Sequence, residues 1–217
     1  MTFPNKHAQR ISQLLADIRH TQRRRKVQLR VLVIMLTPLF LYGSSAWEEA
    51  SLPYEAIQAI GLLAIFVAIM GRTWCTLYIG GRKIEHLVVV GPYSLCRNPL
   101  YLFTYIAVFG MAAQSGSIVL AAIGVCGVAF VFATVVRDEE ALLRETHGQS
   151  YAEYAERTPR ILPHLSLWND TGWIQIKTQH VVRTASDGCL FLLAWPAFEA
   201  LERMRQSGLL EPRFGLY

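Results

Sequence analysis

Two short stretches of the sequence carry side chains that could do chemistry. The first is residues 85–101, "EHLVVVGPYSLCRNPLY", in which His86, Tyr93, Arg97, Asn98 and Tyr101 crowd around a Gly91-Pro92 turn. The second is residues 137–163, "RDEEALLRETHGQSYAEYAERTPRILP", which opens on Arg137, Asp138, Glu139 and Glu140 and carries Tyr151 and Tyr154 beyond Gly148. Carboxylates can hold an ammonium group or hydroxyls through charge-assisted hydrogen bonds. The faces of tyrosine rings tolerate a cation, and an arginine fork matches a carboxylate. The same residues also have plain structural roles: Asn98 is placed to cap a helix whose first residue is Pro99, and "RDEE" reads equally as a solvated helix turn.

The elements that must position these residues are membrane helices. The chain has 217 residues, 53% of them hydrophobic and only 17% charged, with a mean hydropathy of +0.28. Residues 31–47 carry no charge, residues 56–81 carry only Arg72, and no charged residue lies between Arg97 and Arg137. That last stretch is too long for one span, and "AQSGS" at 113–117 divides it. A span needs about 20 apolar residues, so the pattern predicts an all-α integral membrane protein with four transmembrane helices. Pro38 falls inside the first, where a membrane helix tolerates it. The run "GCLFLLAWPAF" at 188–198 is short and contains Pro196, so a re-entrant or interfacial helix within 186–204 is expected in preference to a fifth span.

Lysine and arginine set the orientation. Residues 1–30 hold eight of them against a single acid, Asp17, a local charge of 8 − 1 = +7 in a chain whose net charge is +5. The 48–55 loop has none, and Arg82, Lys83 and Arg97 mark the 82–98 loop. Both termini and that loop are therefore expected in the cytoplasm, in a bacterial inner membrane. Ile11, Leu14, Leu15 and Ile18 recur at helical spacing among basic residues, which predicts a helix lying on an anionic leaflet before the first span. A basic run directly before a membrane helix argues against nucleic acid as its partner. Three domains follow: the basic helix 1–30, a membrane core 31–163, and a C-terminal extension 164–217.

Other classes are excluded by what is missing. Cys75, Cys96, Cys126 and Cys189 are scattered, without the paired spacing of a disulfide framework or a thiolate zinc site. The six histidines show no H-E-x-x-H, and no Walker loop or G-x-G-x-x-G is present. No metal ligands are assigned.

Taken in order, the two stretches resemble the isoprenylcysteine carboxyl methyltransferase family and its phospholipid-methyltransferase relatives. The likeness rests on His86-Leu87-Val88, Gly91-Pro92-Tyr93, Arg97-Asn98-Pro99-Leu100-Tyr101, the run Arg137 to Glu140, Gly148 with Tyr151 and Tyr154, and Thr158-Pro159-Arg160 before Pro163. It covers about residues 60–163. Asn98 stands where the best-known eukaryotic members have His, His147 where the pattern has Phe, and Thr158 where it has Val. The resemblance implies S-adenosylmethionine as cofactor, in a cytoplasmic-side pocket walled by the two stretches. It implies cofactor binding by His86, Leu87, Val88, Tyr93, Asn98, Pro99, Tyr101 and either Glu139 or Glu140. Asn cannot titrate, so position 98 is assigned to binding.

A lipophilic acceptor would come from the bilayer past Arg72, Trp74 and Tyr78. A carboxylate acceptor is already ionised at neutral pH, so positioning supplies the catalysis. Arg137 and Glu140 are the residues expected nearest the chemistry, with Arg137 holding the acceptor head. Three readings compete: a methyltransferase of lipid amines or thiols, an NADPH-dependent membrane sterol-type reductase, and an inactive membrane scaffold. Three acids in one wall would repel a polyphosphate such as NADPH.

Overall fold

Lys and Arg extend a helix well, and nothing between Lys6 and Tyr42 stops one. In a computed structural model, which describes the chain except at 1–5, 50, 81–86, 175 and 217 and gives 6–22 as backbone only, α1 runs unbroken over Lys6–Tyr42 with Pro38 inside it. The basic segment is therefore not a separate helix. It continues the first apolar stretch, because no Gly or Pro lies between them to permit a bend. The hydrophobic spacing expected at Ile11 to Ile18 belongs to side chains outside the described residues.

Helices α2 (Leu52–Ile79), α4 (Pro99–Ala113) and α5 (Ile118–Arg157) follow, with a single helical turn, α3 (Pro92–Leu95), between α2 and α4. Helices α2 and α5 are long and apolar enough to cross a membrane, and α4 is apolar but shorter. Its 15 residues reach about 22 Å, against roughly 30 Å for a bilayer core. The expected break at 113–117 is present: Ser117 caps α5 by accepting from the Leu120 N–H. Gln58 of α2 donates to the Gln114 carbonyl at 3.0 Å, and Gln114 returns a bond to the Gln58 carbonyl at 3.2 Å. Close approach of α2 and α4 is set by Gly61 and Gly110, since a Cβ on Gly110 would stand 2.5 Å from the Gly61 oxygen. Small residues let membrane helices meet backbone to backbone.

The bundle has two ends. One carries residues 87–101 and 139–160, and will be called the site end; the other carries 43–58 and 113–118. Helices α6 (Thr178–Cys189) and α7 (Ala194–Gln206), joined by a 3₁₀ turn at Leu190–Leu193, travel from the first to the second. Lys177 lies against Gly80, Thr76 and Thr184 share a hydrogen bond at 3.2 Å, and Gly188 packs on Ile69. At the far end the Arg205 guanidinium donates to the carbonyls of Phe40, Leu41 and Gly43. The chain closes with strand β2 (Phe214–Leu216) paired in parallel with β1 (Gly43–Ser45).

Helices α6 and α7 together run alongside α2, with Thr184 and Gly188 packed against it and Arg205 bonded to backbone carbonyls at the far end. The C-terminal strand sits at that same end of the bundle.

Candidate active site

The site is built around one carboxylate. Glu140 lies on α5, three residues after Arg137, and is buried. Its Oε1 accepts from Arg97 Nε at 3.2 Å and Asn98 Nδ2 at 3.1 Å. Arg160 holds Oε2 with Nε at 3.1 Å and Nη2 at 2.6 Å. One side chain thus ties α5 to the start of α4 and to the segment after α5. Backbone bonds reinforce the tie: the Arg97 and Asn98 N–H groups donate to the carbonyls of Pro159 and Arg160 at 2.8 and 3.1 Å. Further along, the Asn169 carbonyl accepts from the Gly91 N–H, and the Asn169 N–H donates to the Ser94 hydroxyl.

The turn that makes this possible is Gly148. Its backbone, at φ 53° and ψ −124°, interrupts α5 in a region open essentially to glycine alone. The break expected at Gly148 and the stop at Thr158-Pro159 are both found. Beyond the kink the last turns of α5 fold back, and Tyr154 donates its hydroxyl to the Tyr93 carbonyl at 2.7 Å.

Between these parts lies a cavity of about 30 Å³, lined by Ile79, Leu87, Val88, Tyr93, Arg97, Asn98, Glu139, Glu140, Leu143, Tyr151 and Tyr154. That is room for one or two waters, and the 81–86 segment beside it is outside the described residues. The Tyr93 and Tyr151 hydroxyls are buried with no hydrogen-bond partner. Burial pushes the phenols of Tyr93, Tyr151 and Tyr154 above their ordinary range, so all three stay protonated donors at neutral pH. Burial also lifts the Cys96 thiol to about 11, which keeps it un-ionised and inert.

Of the residues expected from the sequence, Leu87, Val88, Tyr93, Asn98, Glu139 and Glu140 line this cavity together. His86 lies outside the described residues. Pro99 opens α4 and is buried. Tyr101 packs edge-on against Phe132 at 4.8 Å and has Glu139 as its hydrogen-bonding neighbour. Asn98 occupies the cap position of α4 without capping it; its amide is spent on Glu140 and the Arg160 carbonyl. Glu140 is likewise taken up by two guanidinium groups, which tie α5 to Arg97 and Arg160.

Three further placements differ from expectation. Arg137 and Asp138 are exposed and do not line the cavity, although Arg137, three residues before Glu140, shares its side of α5. Tyr78 donates to Asp170 at 3.0 Å, and Trp74 packs against Trp168 at 5.7 Å, so both brace the 164–170 segment. Arg72 donates to Thr104 and lies over Phe191 at 5.8 Å. The wall expected to hold three acids offers the cavity Glu139 alone, with Glu140 neutralised by Arg97 and Arg160. Repulsion of a polyphosphate is reduced accordingly.

Arg97, Arg160, Tyr151 and Tyr154 enter the site without having been assigned to it from sequence. Each stood in a quoted motif, and the i, i+3 spacing of the two tyrosines placed them on one helix face. Arg25 had no such signal. It reaches Tyr101 from α1 at 3.4 Å only because α1 continues unbroken through the basic run.

A model of the phospholipid methyltransferase family matches residues 53–150, which include the cavity's lining residues except Tyr151 and Tyr154. The nickel-cobalt-cadmium resistance protein NccN of Alcaligenes xylosoxydans xylosoxydans is 35% identical over 187 residues, 86% of each chain. The chain belongs to the NccN family. The cobalt-zinc-cadmium resistance protein CzcN of Cupriavidus metallidurans is similar too, 33% identical over 181 residues and 83% of each chain. No solved structure matches. Two helices of spanning length and the match to the phospholipid methyltransferase family point to a membrane protein. Its likeness to methyltransferases is at the level of the phospholipid methyltransferase family.

Proposed function

We propose that this protein transfers a methyl group from S-adenosylmethionine to a lipid-borne acceptor at the site end of the bundle. The observation that carries the reading is the pair of buried phenols, Tyr93 and Tyr151, whose hydroxyls face a shared cavity with no partner. Buried polar groups are normally satisfied, so the cavity wall is chemically incomplete. Hydroxyl donors, the Glu139 carboxylate and the extended backbone at Leu87 and Val88 suit the carboxylate, ammonium, ribose and adenine of the cofactor. The cavity must widen to admit it.

The cofactor supplies a methyl group activated by a sulfonium. The protein's own part is to hold and exclude. Glu139 accepts from ammonium or hydroxyl groups, Tyr93 and Tyr151 donate, and Leu87, Val88, Leu143 and Ile79 keep water out. The acceptor, carboxylate or phospholipid, comes sideways from the bilayer. The site end faces the cytoplasm, with α1, α2, α4, α5 and the α6–α7 pair each crossing. The names of the relatives supply a setting: methylation changes the charge of the membrane surface that divalent cations meet.

Equilibrium binding of labelled S-adenosylmethionine to the purified protein tests this directly, followed by transfer of labelled methyl into extracted membrane lipid. Binding without transfer to any lipid fraction would retain the cofactor and reject the lipid acceptor. Absence of binding rejects the whole reading.

A further inference from the structure

The proposed reaction needs a seat for the acceptor's head, and Arg137 is exposed and outside the cavity lining. We propose that Arg72 and Arg25 form that seat, and that the acceptor is an anionic lipid whose oxyanion they bind. This rests on the methyltransferase reading of the same site.

Arg72 lies within the α2 span, seven residues before Ile79 of the cavity wall, or about 10 Å along the helix. An ionisable residue at such depth is costly and marks a functional site by default. Its guanidinium spends one nitrogen on Thr104 and covers the Phe191 ring. Its Nε is buried without a partner, and no carboxylate among the described residues lies within ion-pair distance of it. The second cation comes from α1, where Arg25 donates to the Tyr101 hydroxyl at 3.4 Å.

Tyr101 and Thr104 are three residues apart on α4 and so share one face, with Cβ atoms about 5–6 Å apart. The two guanidinium groups are therefore gathered beside one turn of α4, close enough to act on each other electrostatically. Two acids also act here. Asp187 on α6 reaches Arg72 only at a distance and is exposed beside Arg183 at 3.9 Å. Glu139 neighbours Tyr101 from α5. Two like charges brought together in a low-dielectric setting are stabilised by an anion between them. The arginine fork fits a carboxylate or a phosphate equally.

The test uses the full-length protein in phosphatidylcholine nanodiscs. Binding of a fluorescent long-chain fatty acid is measured against the matched fatty amine, with oleate and phosphatidic acid as competitors. The acid should bind at least about tenfold more tightly than the amine, and Arg72→Gln or Arg25→Gln should each erase about tenfold. Arg72→Lys should recover only part. Competition by phosphatidic acid assigns a phosphate head; competition by oleate alone assigns a carboxylate. Labelled S-adenosylmethionine binding is followed in parallel. Arg72→Gln protein that keeps cofactor binding and still prefers the acid overturns the seat, and leaves the methyltransferase reading standing. Wild-type protein that selects the acid but takes no cofactor does the reverse. Should Arg72→Gln fail to fold, Arg25→Gln on α1 carries the same comparison, and an unchanged preference there overturns the proposal.

Discussion

Two adjacent glutamates do different work, and substitution should separate them. Glu139→Gln removes a charged acceptor from the cavity while leaving the tether intact. Cofactor binding should weaken by roughly 10- to 150-fold, the worth of about 1.5–3 kcal/mol, with little change in thermal unfolding. Glu140→Gln leaves Arg97 and Arg160 without their carboxylate. Breaking a buried pair costs about 3–5 kcal/mol, and the half-exposed Arg160 puts this case at the low end. A fall in melting temperature in detergent should therefore accompany Glu140→Gln and not Glu139→Gln; equal melting temperatures would remove the distinction. The sequence left the two open for a physical reason. Neighbours on a helix point about 100° apart, and what decides between them is where Arg97 and Arg160 arrive from. The buried phenols make a separate statement about pH. Tyr93, Tyr151 and Tyr154 have folded values raised above the ordinary 10. Their contribution to stability is complete below that value and is lost as pH climbs past it. Unfolding followed by tryptophan fluorescence should be flat from neutrality to about pH 10 and ease above it.

Among the elements, the kink in α5 matters most. Gly148 at φ 53° has nothing crowding a Cβ, so Gly148→Ala meets strain from the backbone alone, about 1–3 kcal/mol. The expected result is weakened cofactor binding with the bundle still folded, because residues 149–157 would straighten and carry Tyr151 and Tyr154 off the cavity. Native cofactor affinity in that variant would show the kink to be dispensable. Elements were legible wherever punctuation was strong: Pro99 opening α4, Ser117 opening α5, Gly148 and Thr158-Pro159 closing it in two steps. They were not legible where a boundary depended on tertiary partners. The basic run before α1 has the composition of a surface helix, and only the absence of a stop signal joins it to the span. Helices α6 and α7 read as too short because each is polar on the side that α2 and the backbone at 40–43 satisfy.

At the scale of the molecule, charge and path agree. The far end gathers Glu48, Glu49, Glu55, Glu199, Glu202 and Glu211 against Arg203, Arg205 and Arg213, and on the path proposed for α6 and α7 it lies opposite the cytoplasm. Reporter fusions at the two termini should therefore report opposite sides of the membrane; a common side would refute the path drawn for α6 and α7. The same path gives strand β1 an unusual history. Gly43–Ser45 emerges after the first helix, but its partner at Phe214–Leu216 is made much later. Until then β1 is an open edge. On the proposed path those residues meet it only once α6 and α7 have been carried across. Closure of that small ribbon would then report that α6 and α7 are in place. A stop codon just after Gln206 should yield a protein whose β1 edge stays open to an extracytoplasmic probe.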